Sequence, residues 1–396
     1  MSFCRLVFIL IFAAYFNFCS ANTFKDSIIV GASDTAKYFS ILKNKKIALL
    51  INQTSVVNNQ LLPEFLIDNK IEICKIFSPE HGLKTNADAG EKVNNEVYIY
   101  QNKSIPVVSL YGNKKQPSKE DLDSVDIVVF DIQDVGVRFY TYLSTMYYLM
   151  QTCADNNKTL LVLDRPNPNG NYVDGPVLKD EKLKSFVGII PIPIVHGCTL
   201  GELALMINKE KWLKGDKECI LNVIKNKNYS HKLFYDPPIA PSPNLKTIES
   251  ILLYPSLCWF EGSICSVGRG TDFPFRVYGF PTFKNGDFMF VPKSKPGATN
   301  PMYLNDTCCG RDLRMLEKFE IFNQKKINLI YLKDAYNSCS NKEKFFNNFF
   351  FKLAGNEELK QQIIVNADEK TIRDSWQKDL NEYLKIREKY LLYEDF

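Results

Sequence analysis

Several common sequence signatures of enzymes are missing from this chain. No Gly-x-Gly-x-x-Gly pattern follows the first predicted strand, and neither a Walker loop nor a Gly-x-Ser-x-Gly nucleophile elbow occurs. Nucleotide binding and acyl transfer through an activated serine therefore lack their markers. Only 3 histidines are present and no Cys-x-x-Cys pair occurs among the 11 cysteines, so the sequence predicts no metal site and no cofactor.

An excess of charge of one sign is also lacking. The 396 residues carry 49 Lys and Arg against 45 Asp and Glu, a formal net charge of +4, and no basic stripe stands out. Proteins that bind nucleic acid usually concentrate positive charge on one face, so nucleic acid is not a predicted partner. Hydrophobic residues make up 45% of the chain and aromatic residues 13%, enough for the cores of two ordinary domains.

Long apolar segments are confined to the start of the chain. Met1–Arg5 is a short basic start, Leu6–Phe18 is apolar, and Cys19–Ala21 supplies small residues before Asn22. This order predicts a secretory signal peptide over residues 1–21. The apolar run is shorter than the roughly 20 residues of a membrane-spanning helix. We therefore expect an exported mature protein, periplasmic or secreted, without an integral membrane segment.

The chain does contain a series of short apolar runs that each end in a polar cluster with Gly or Pro. The runs are Ile73–Phe77, Val107–Leu110, Ile127–Phe130, Leu160–Leu163 and Ile189–Val195. Runs without polar alternation suit strands that are buried on both faces of a parallel sheet. Together with the helical segments between them, they predict an α/β fold with a doubly wound, mostly parallel sheet. Ligands of such sheets bind beyond the carboxyl ends of the strands, where the polar clusters fall.

A proline-rich segment, Phe234–Asn244, divides the chain, because no regular element tolerates so many prolines. It predicts a doubly wound domain over residues 22–235 and a second, smaller α+β domain over residues 236–396. In the second domain the apolar pattern predicts a strand at Ile327–Leu332 and a final amphipathic helix at Asp374–Tyr393.

Glu80 and His81 directly follow one predicted strand, and Gly82 frees the backbone after them. A charged pair at the carboxyl end of a buried strand favours a general acid or base with an imidazole neighbour. The alternative is a helix start, with Ser78 as the cap. Glu91 lies further along the same loop and is either a site residue or a surface carboxylate.

Asp131 and Gln133 follow the run Ile127–Phe130 and alternate, so both can face one side and hold the hydroxyls of a sugar. Asp134 and Arg138 come next. Arg138 is a candidate for binding an anionic group of the substrate, but the spacing also fits an i,i+4 ion pair within a helix.

Asp164 and Arg165 end another predicted strand, and Asn167 lies in the rigid turn Pro166–Gly170 that follows. This turn either shapes the rim of a binding pocket or reverses the chain. The three polar side chains are candidates for binding substrate.

His196 and Glu202 follow the last apolar run. Thr199 and Glu202 have the spacing of a capping box, which by itself would explain Glu202, yet the segment falls at the same predicted edge of the sheet. Arg269 is flanked by Gly268 and Gly270, which suits a guanidinium displayed toward a carboxylate.

Taken together, these segments resemble the NamZ-type exo-β-N-acetylmuramidase family, formerly called DUF1343. The matching segments are Ser78–Gly82, Ala89–Glu91, Phe130–Tyr142, Asp164–Gly170, Asp174–Pro176, His196–Glu202, Pro241–Asn244, Glu261–Gly262, Ser266–Thr271, Ser375–Gln377 and Ile386–Tyr390. They span nearly the whole mature chain, and Phe130–Tyr142 is the most specific of them.

The resemblance implies a Rossmann-like catalytic domain over residues 22–235, a C-terminal auxiliary domain over residues 236–396, and a cleft between them. It implies removal of N-acetylmuramic acid from the non-reducing end of peptidoglycan fragments, so peptidoglycan-derived muramyl saccharides are the expected partner. Such a substrate carries hydroxyl groups and a lactyl carboxylate, and hydrolysis of a β-glycoside needs an acid plus a nucleophile or base.

On this basis Glu80 is expected to be the general acid, and Glu202 or Asp131 the second carboxylate. His81 and His196 are expected to handle protons or tune the carboxylates. Arg138 and Arg269 are the candidates for the lactyl carboxylate. The remaining candidates for binding substrate are Glu91, Gln133, Asp164, Arg165 and Asn167.

Two other classes remain open from the sequence. An exported muropeptide- or sugar-binding protein without catalytic activity would grip a glycan at the same edge without cleaving it. A hydrolase of an amide or ester bond would use the same scaffold and release a peptide or an acyl group instead of a sugar.

Overall fold

The computed structural model describes residues 27–83, 96–112 and 114–396, and a seven-stranded sheet forms its centre. The strands run in the order β5-β6-β4-β1-β7-β8-β9, and all are parallel to their neighbours except β5, which is antiparallel at one edge. The strands are β1 (Lys46–Ile51), β4 (Glu72–Ser78), β5 (Glu96–Tyr100), β6 (Lys103–Ser109), β7 (Ile127–Asp131), β8 (Thr159–Leu163) and β9 (Ile220–Ile224), while β2 (Val56–Val57) and β3 (Gln60–Leu61) form a separate small hairpin.

Apolar composition explains which strands are central in the sheet and which lies at its edge. All residues of β7 are buried, and β1 is buried after its first residue, as expected of strands covered by helices on both faces. The edge strand β5 instead exposes Val97 and Ile99. The predicted α/β fold with a doubly wound, mostly parallel sheet and a smaller second domain is thus confirmed.

Helices cover both faces of the sheet and build most of the second half. They are α1 (Phe39–Leu42), α2 (Leu62–Asp68), α3 (Lys119–Leu122), α4 (Tyr142–Asp155), α5 (Leu200–Lys209), α6 (Ile248–Leu257), α7 (Lys318–Gln324), α8 (Leu329–Ser338), α9 (Phe349–Ala354), α10 (Glu358–Ile364) and α11 (Glu369–Arg387). Within the described ranges, none of these helices has both the length and the apolar character that a membrane span needs. The predicted signal peptide, residues 1–21, lies outside the described residues.

Two predicted elements are wrong. The apolar run Ile189–Val195 makes only isolated bridges through Val195, because Pro191 and Pro193 lack the N–H groups that a strand needs. Its place in the sheet is taken by β9, which pairs with β8. The predicted strand at Ile327–Leu332 is instead the start of helix α8, where the Asn328 side chain accepts a hydrogen bond from the N–H of Ile330.

The second half packs a three-stranded antiparallel sheet against its helices, in the order β10 (Val277–Phe280), β12 (Cys308–Asp312) and β11 (Phe288–Phe290). Its core is continuous with that of the first half. For example, the rings of Phe139 and Tyr254 meet edge to face with centroids 5.4 Å apart. Elements of both halves therefore meet next to the sheet.

The sheet reverses its direction of growth at β1. From β1 the chain adds β4 and β6 on one side and then returns to add β7, β8 and β9 on the other. The loops that follow β4 and β7, on either side of β1, run in opposite directions. A crevice opens between them at the carboxyl ends of the strands. Side chains that follow β4 and β7 are the ones placed to line it.

Candidate active site

A cavity of about 330 Å³ lies where the two halves meet at the carboxyl edge of the sheet. The loop after β4 contributes Glu80 and His81, and the segment between β7 and α4 contributes Phe139–Tyr142. The second half contributes Glu261, Arg269 and several aromatic and amide side chains. The cavity thus combines two carboxylates, an imidazole and a guanidinium with aromatic walls, a composition suited to a sugar.

Glu80 and His81 lie in a tight turn at the end of β4. Ser78 is the last residue of the strand, and the N–H of Gly82 bonds to the carbonyl oxygen of Pro79. His81 and Gly82 both have positive φ, 70° and 76°. The described part of this loop is therefore a turn and not the capped helix start that was the alternative. The turn places the Glu80 carboxylate against Thr141, whose hydroxyl donates to Oε2 at 2.5 Å.

The hydroxyl of Tyr140 is buried at the cavity beside the side chains of Ser242 and Tyr142, and within the described residues it has no hydrogen bond of good geometry. Burial raises the pKa of Tyr140 well above its ordinary value, so the group stays protonated and able to donate. Its neighbour Tyr142 is satisfied, since it donates to the carbonyl oxygen of Pro241 and accepts from the Asn52 side chain. A buried donor without a partner is a position for a ligand oxygen.

We expect Tyr140→Phe to lower kcat/KM about tenfold with little loss of stability, because one hydrogen bond to a ligand contributes roughly 0.5–1.5 kcal/mol and the hydroxyl makes no well-formed hydrogen bond within the described residues. Tyr142→Phe is the matched contrast, which should lower the free energy of unfolding and leave kcat/KM near that of the wild type. Steady-state kinetics and chemical denaturation measure the two effects. Equal kcat/KM values for the wild type and Tyr140→Phe would contradict the ligand role.

Arg269 lies at the cavity and is paired with Glu261. Its Nε and Nη2 atoms both donate to Oε1 of Glu261, at 2.9 and 2.5 Å. The guanidinium also lies over the ring of Phe275, with 5.2 Å between Cζ and the ring centroid. Burial disfavours the charge on Arg269, but the attraction of Glu261 outweighs it and raises the pKa of the guanidinium. Nη1 donates to no described residue, so it is available to a ligand.

Asp131 does not reach the cavity. It is fully buried at the end of β7 and forms a two-pronged ion pair with Arg165, with Nε to Oδ1 at 2.5 Å and Nη2 to Oδ2 at 2.9 Å. Gln133, also buried, donates to the carbonyl oxygens of Asp134 and Pro166. These contacts join the loops after β7 and β8 to each other, and the structure brings none of these side chains to the cavity.

Asp164 and Glu202 anchor the C-terminal tail. Asp164 accepts hydrogen bonds from the hydroxyls of Thr199 and Tyr393. Glu202 accepts from the N–H of Thr199 as part of a capping box, and from the N–H of Leu392. Burial raises the pKa of Asp164 to about 6. Both carboxylates are hydrogen-bonded by protein donors. For Glu202 this is the capping box that the sequence offered as the alternative to a site role.

Three further candidates are also buried away from the cavity. Nδ1 of His196 accepts from the N–H of Cys198, and burial lowers the pKa of His196 to about 3. Arg138 donates to three carbonyl oxygens, including that of Leu353 in the second half, and burial lowers its pKa to about 9. Asn167 donates to the carbonyl oxygen of Cys198 and fills the space beside Gly136, where a Cβ atom would meet its Oδ1 at 1.9 Å. The hydrogen bonds of these three residues hold separate segments of the fold together and do not face the cavity.

Glu91 falls in residues 84–95, outside the described part of the chain, so its role stays a prediction. Among the candidates that the structure describes, the expectation of one shared rim is met by Glu80, His81 and Arg269 only. Asp131 ends β7 but is enclosed by Arg165, and His196 is buried after a segment that forms no strand.

The comparisons with known proteins agree over most of the chain. Residues 47–249 match the family model described as exo-beta-N-acetylmuramidase NamZ, N-terminal, and residues 252–393 match its C-terminal counterpart. The chain belongs to the NamZ exo-β-N-acetylmuramidase family. A curated relative, the peptidoglycan beta-N-acetylmuramidase NamZ of Bacillus subtilis (strain 168), is 38% identical over 376 residues, which cover 90% of this chain and 89% of the relative.

Two solved structures of DUF1343 family proteins from Bacteroides fragilis NCTC 9343 share this fold. One is 45% identical with a TM-score of 0.85 and covers 93% of this chain and 100% of its own. The other is 27% identical with a TM-score of 0.74 and covers 93% of this chain and 99% of its own. Membership of the NamZ family makes this protein a glycosidase, in agreement with the resemblance seen in the sequence.

Sequence reasoning missed Tyr140, Thr141 and Glu261 as cavity residues in this NamZ family member. Tyr140 and Thr141 lie within the segment most specific for the family, but their residue types are as common in cores as in sites. Glu261 lies in the short matching segment Glu261–Gly262, and the glycine after it was a second signal. A Cβ atom at Gly262 would meet the backbone of Phe350 at 2.4 Å, so this glycine permits the close packing that sets Glu261 at the cavity.

Asp134 is a buried carboxylate with incomplete hydrogen bonding and a raised pKa. Its Oδ2 accepts from the N–H of Gly136 at 2.7 Å, while Oδ1 has no partner among the described residues. Burial raises its pKa from 3.8 to about 7. The alternative of a helical ion pair with Arg138 is wrong, since α4 begins only at Tyr142.

We expect Asp134→Asn to stabilise the protein increasingly as the pH rises from 4 to 8. The raised pKa means that the folded state holds a proton that the unfolded state has lost, so the wild type loses stability over this range. The gain of the variant should be small at pH 4 and about 2–4 kcal/mol at pH 8. Urea denaturation at several pH values measures it, with Asp123→Asn on the surface as the control. A gain that is independent of pH would contradict the assignment.

Proposed function

We propose that this protein is an exo-acting glycoside hydrolase that removes N-acetylmuramic acid from the non-reducing end of peptidoglycan fragments. The observation that carries the proposal is Glu80, a carboxylate at the cavity, held by the hydroxyl of Thr141 beside His81. Hydrolysis of a β-glycoside requires a carboxylic acid that gives its proton to the leaving oxygen. We assign this role to Glu80.

The size of the cavity supports exo action. Its volume of about 330 Å³ is at the lower end of the range for ligand pockets, roughly 300–1,000 Å³. A pocket of this size suits one amino sugar and not a stretch of glycan chain. Tyr111, Phe186 and Phe349 supply aromatic surface at the same cavity, which suits packing against the apolar face of a sugar ring.

The charge at the cavity supports a muramyl substrate in preference to a glucosaminyl one. N-acetylmuramic acid carries a lactyl carboxylate, and a guanidinium is the side chain best suited to bind a carboxylate. With Arg138 enclosed in the fold, we assign the lactyl carboxylate to Nη1 of Arg269, the nitrogen that Glu261 does not occupy.

The sequence of the first 21 residues supports a place of action outside the cytoplasm. A signal peptide would carry the enzyme to the periplasm or the medium, where peptidoglycan is found. Release of single muramyl residues there would serve turnover and recycling of the cell wall.

Mass spectrometry of products tests the function. The mature protein should release free N-acetylmuramic acid from a disaccharide that carries it at the non-reducing end, and leave intact a disaccharide that carries N-acetylglucosamine there. Binding of the muramyl disaccharide without any product would favour the non-catalytic binding protein. Release of a peptide or an acyl group from a muropeptide would favour the amide or ester hydrolase.

A further inference from the structure

Two-carboxylate hydrolysis leaves one role unassigned, that of the group that acts at the anomeric carbon. Both sequence candidates for it, Asp131 and Glu202, are fully buried and engaged by protein donors. Among the described residues that line the cavity, only Glu80 and Glu261 carry a carboxylate. The geometry therefore leaves Glu261 as the partner of Glu80.

The surroundings of Glu261 fit a reacting carboxylate. It lies in the short 3-10 helix Cys258–Gly262, which continues α6 in the second half and packs against α9. One oxygen, Oε1, is fixed by Nε and Nη2 of Arg269. Within the described residues, the other oxygen, Oε2, has only the weak thiol contact of Cys258, at 3.8 Å. One oxygen is thus anchored while the other is available.

Arg269 is itself held in place. Gly268 and Gly270 on either side have φ of 76° and 83°, and a Cβ atom at Gly270 would meet the carbonyl oxygen of Lys293 at 2.5 Å. The ring of Phe275 supports the guanidinium from one face. A fixed guanidinium on Oε1 holds the Glu261 carboxylate in one orientation and leaves Oε2 to face water or substrate.

We propose that Glu261 is the second reacting carboxylate of this enzyme and that Arg269 is its positioning residue. The inference rests on the proposed function of the same cavity. Glu80 comes from the loop after β4 and Glu261 from the other half of the chain, so the two walls of the cavity each supply one of the groups that the reaction needs.

The reaction balances with these two groups and water. Glu80 gives its proton to the glycosidic oxygen, the bond from that oxygen to C1 breaks, and the rest of the glycan leaves as an alcohol. In an inverting reaction Glu261 takes a proton from the water that attacks C1. In a retaining reaction Glu261 first forms an ester with C1, and water, deprotonated by Glu80, then releases it. Both routes end with one glycosidic bond hydrolysed.

The decisive variants are Glu261→Gln and Glu261→Ala, with Glu317→Gln and Glu317→Ala on the exposed surface of the same half as controls. We expect both Glu261 variants to lose at least about 10³-fold in kcat on the muramyl disaccharide and equally on an aryl β-muramide, because the attack at C1 is impaired whatever the leaving group. Sodium azide should restore turnover of the aryl substrate by Glu261→Ala as a muramyl azide, which the wild type and the controls do not form. The anomeric configuration of the N-acetylmuramic acid that the wild type first releases identifies the route, β for a retaining and α for an inverting reaction.

Arg269→Gln tests the positioning role. If Arg269 acts through Glu261, the double variant Glu261→Gln/Arg269→Gln should have about the same kcat as Glu261→Gln alone, because the carboxylate that Arg269 holds is already absent. A purely structural role would lower kcat by a similar factor with or without the Glu261 carboxylate.

The outcomes separate the two proposals. If the wild type releases no N-acetylmuramic acid, the proposed function fails. If the wild type and the controls are active and folded Glu261→Gln keeps more than a tenth of the wild-type kcat, only the role of Glu261 fails. Azide rescue of Glu91→Ala in place of Glu261→Ala would likewise overturn it and assign the role to the loop after Glu80.

Discussion

Glu80→Gln should lower kcat/KM on a muramyl disaccharide by about 10²–10⁴-fold, the usual contribution of a general acid. The amide has nearly the same shape and can still accept the hydrogen bond of Thr141, but it has no proton to give to the leaving oxygen. A sugar alcohol is a poor leaving group and needs that proton. A nitrophenolate does not, so the loss on a nitrophenyl β-muramide should be far smaller.

The ratio of the two losses is the diagnostic measurement for Glu80. A variant that is merely misfolded loses activity on both substrates alike, whereas a missing acid spares the substrate with the better leaving group. Glu72→Gln, at the exposed start of the same strand, is the matched control and should behave as the wild type on both substrates. Retention of near-wild-type turnover on the disaccharide by folded Glu80→Gln would refute the assignment.

Arg165→Ala should cost about 3–5 kcal/mol of the free energy of unfolding, since it leaves the carboxylate of Asp131 buried without its partner. The pair is two-pronged and enclosed, with Asp131 at 0% exposure, so water cannot take the place of the guanidinium. Chemical denaturation and the change in Tm measure the loss. The effect is on the fold, because this pair joins the loop after β7 to the loop after β8 and does not line the cavity.

The double variant Asp131→Asn/Arg165→Met separates structure from catalysis at this pair. Removal of both charges together avoids the unpaired buried carboxylate, so stability should recover by at least half of the loss in Arg165→Ala. Its kcat should remain within about tenfold of the wild type, because neither residue is at the cavity. If the stable double variant is inactive by more than about 10³-fold, Asp131 takes part in the reaction after all.

The difference between Glu80 and Asp131 shows what a local sequence pattern can predict and what it cannot. Both residues come at the carboxyl end of a buried parallel strand, and the same argument favours both as site residues. After β4 the turn with positive φ at His81 carries Glu80 out to the cavity, whereas Asp131 is still part of β7 and meets Arg165 from the loop after β8. A contact such as Asp131–Arg165 joins residues far apart in sequence, so the local pattern around either residue does not predict it.

Arg138 and Arg269 show the same limit for cations. Both seemed suited to a carboxylate, yet Arg138 binds carbonyl oxygens of both halves, and only Arg269 opens on the cavity. The incorrectly predicted strands follow from local ambiguity. Ile189–Val195 has the apolar content of a strand but prolines at alternate positions, and Leu329–Ser338 is short enough for its helical period to be overlooked.

By itself the sequence determined the α/β class, the doubly wound sheet, the family and the placement of Glu80 at the cavity. Those follow from local signals, namely apolar runs that end at polar turns and motifs of contiguous residues. Only the tertiary structure decided which polar groups stay in reach of a substrate. Burial of a side chain depends on what the rest of the chain packs against it, and so Glu202 binds the C-terminal tail while Glu261, from the other half, meets the cavity.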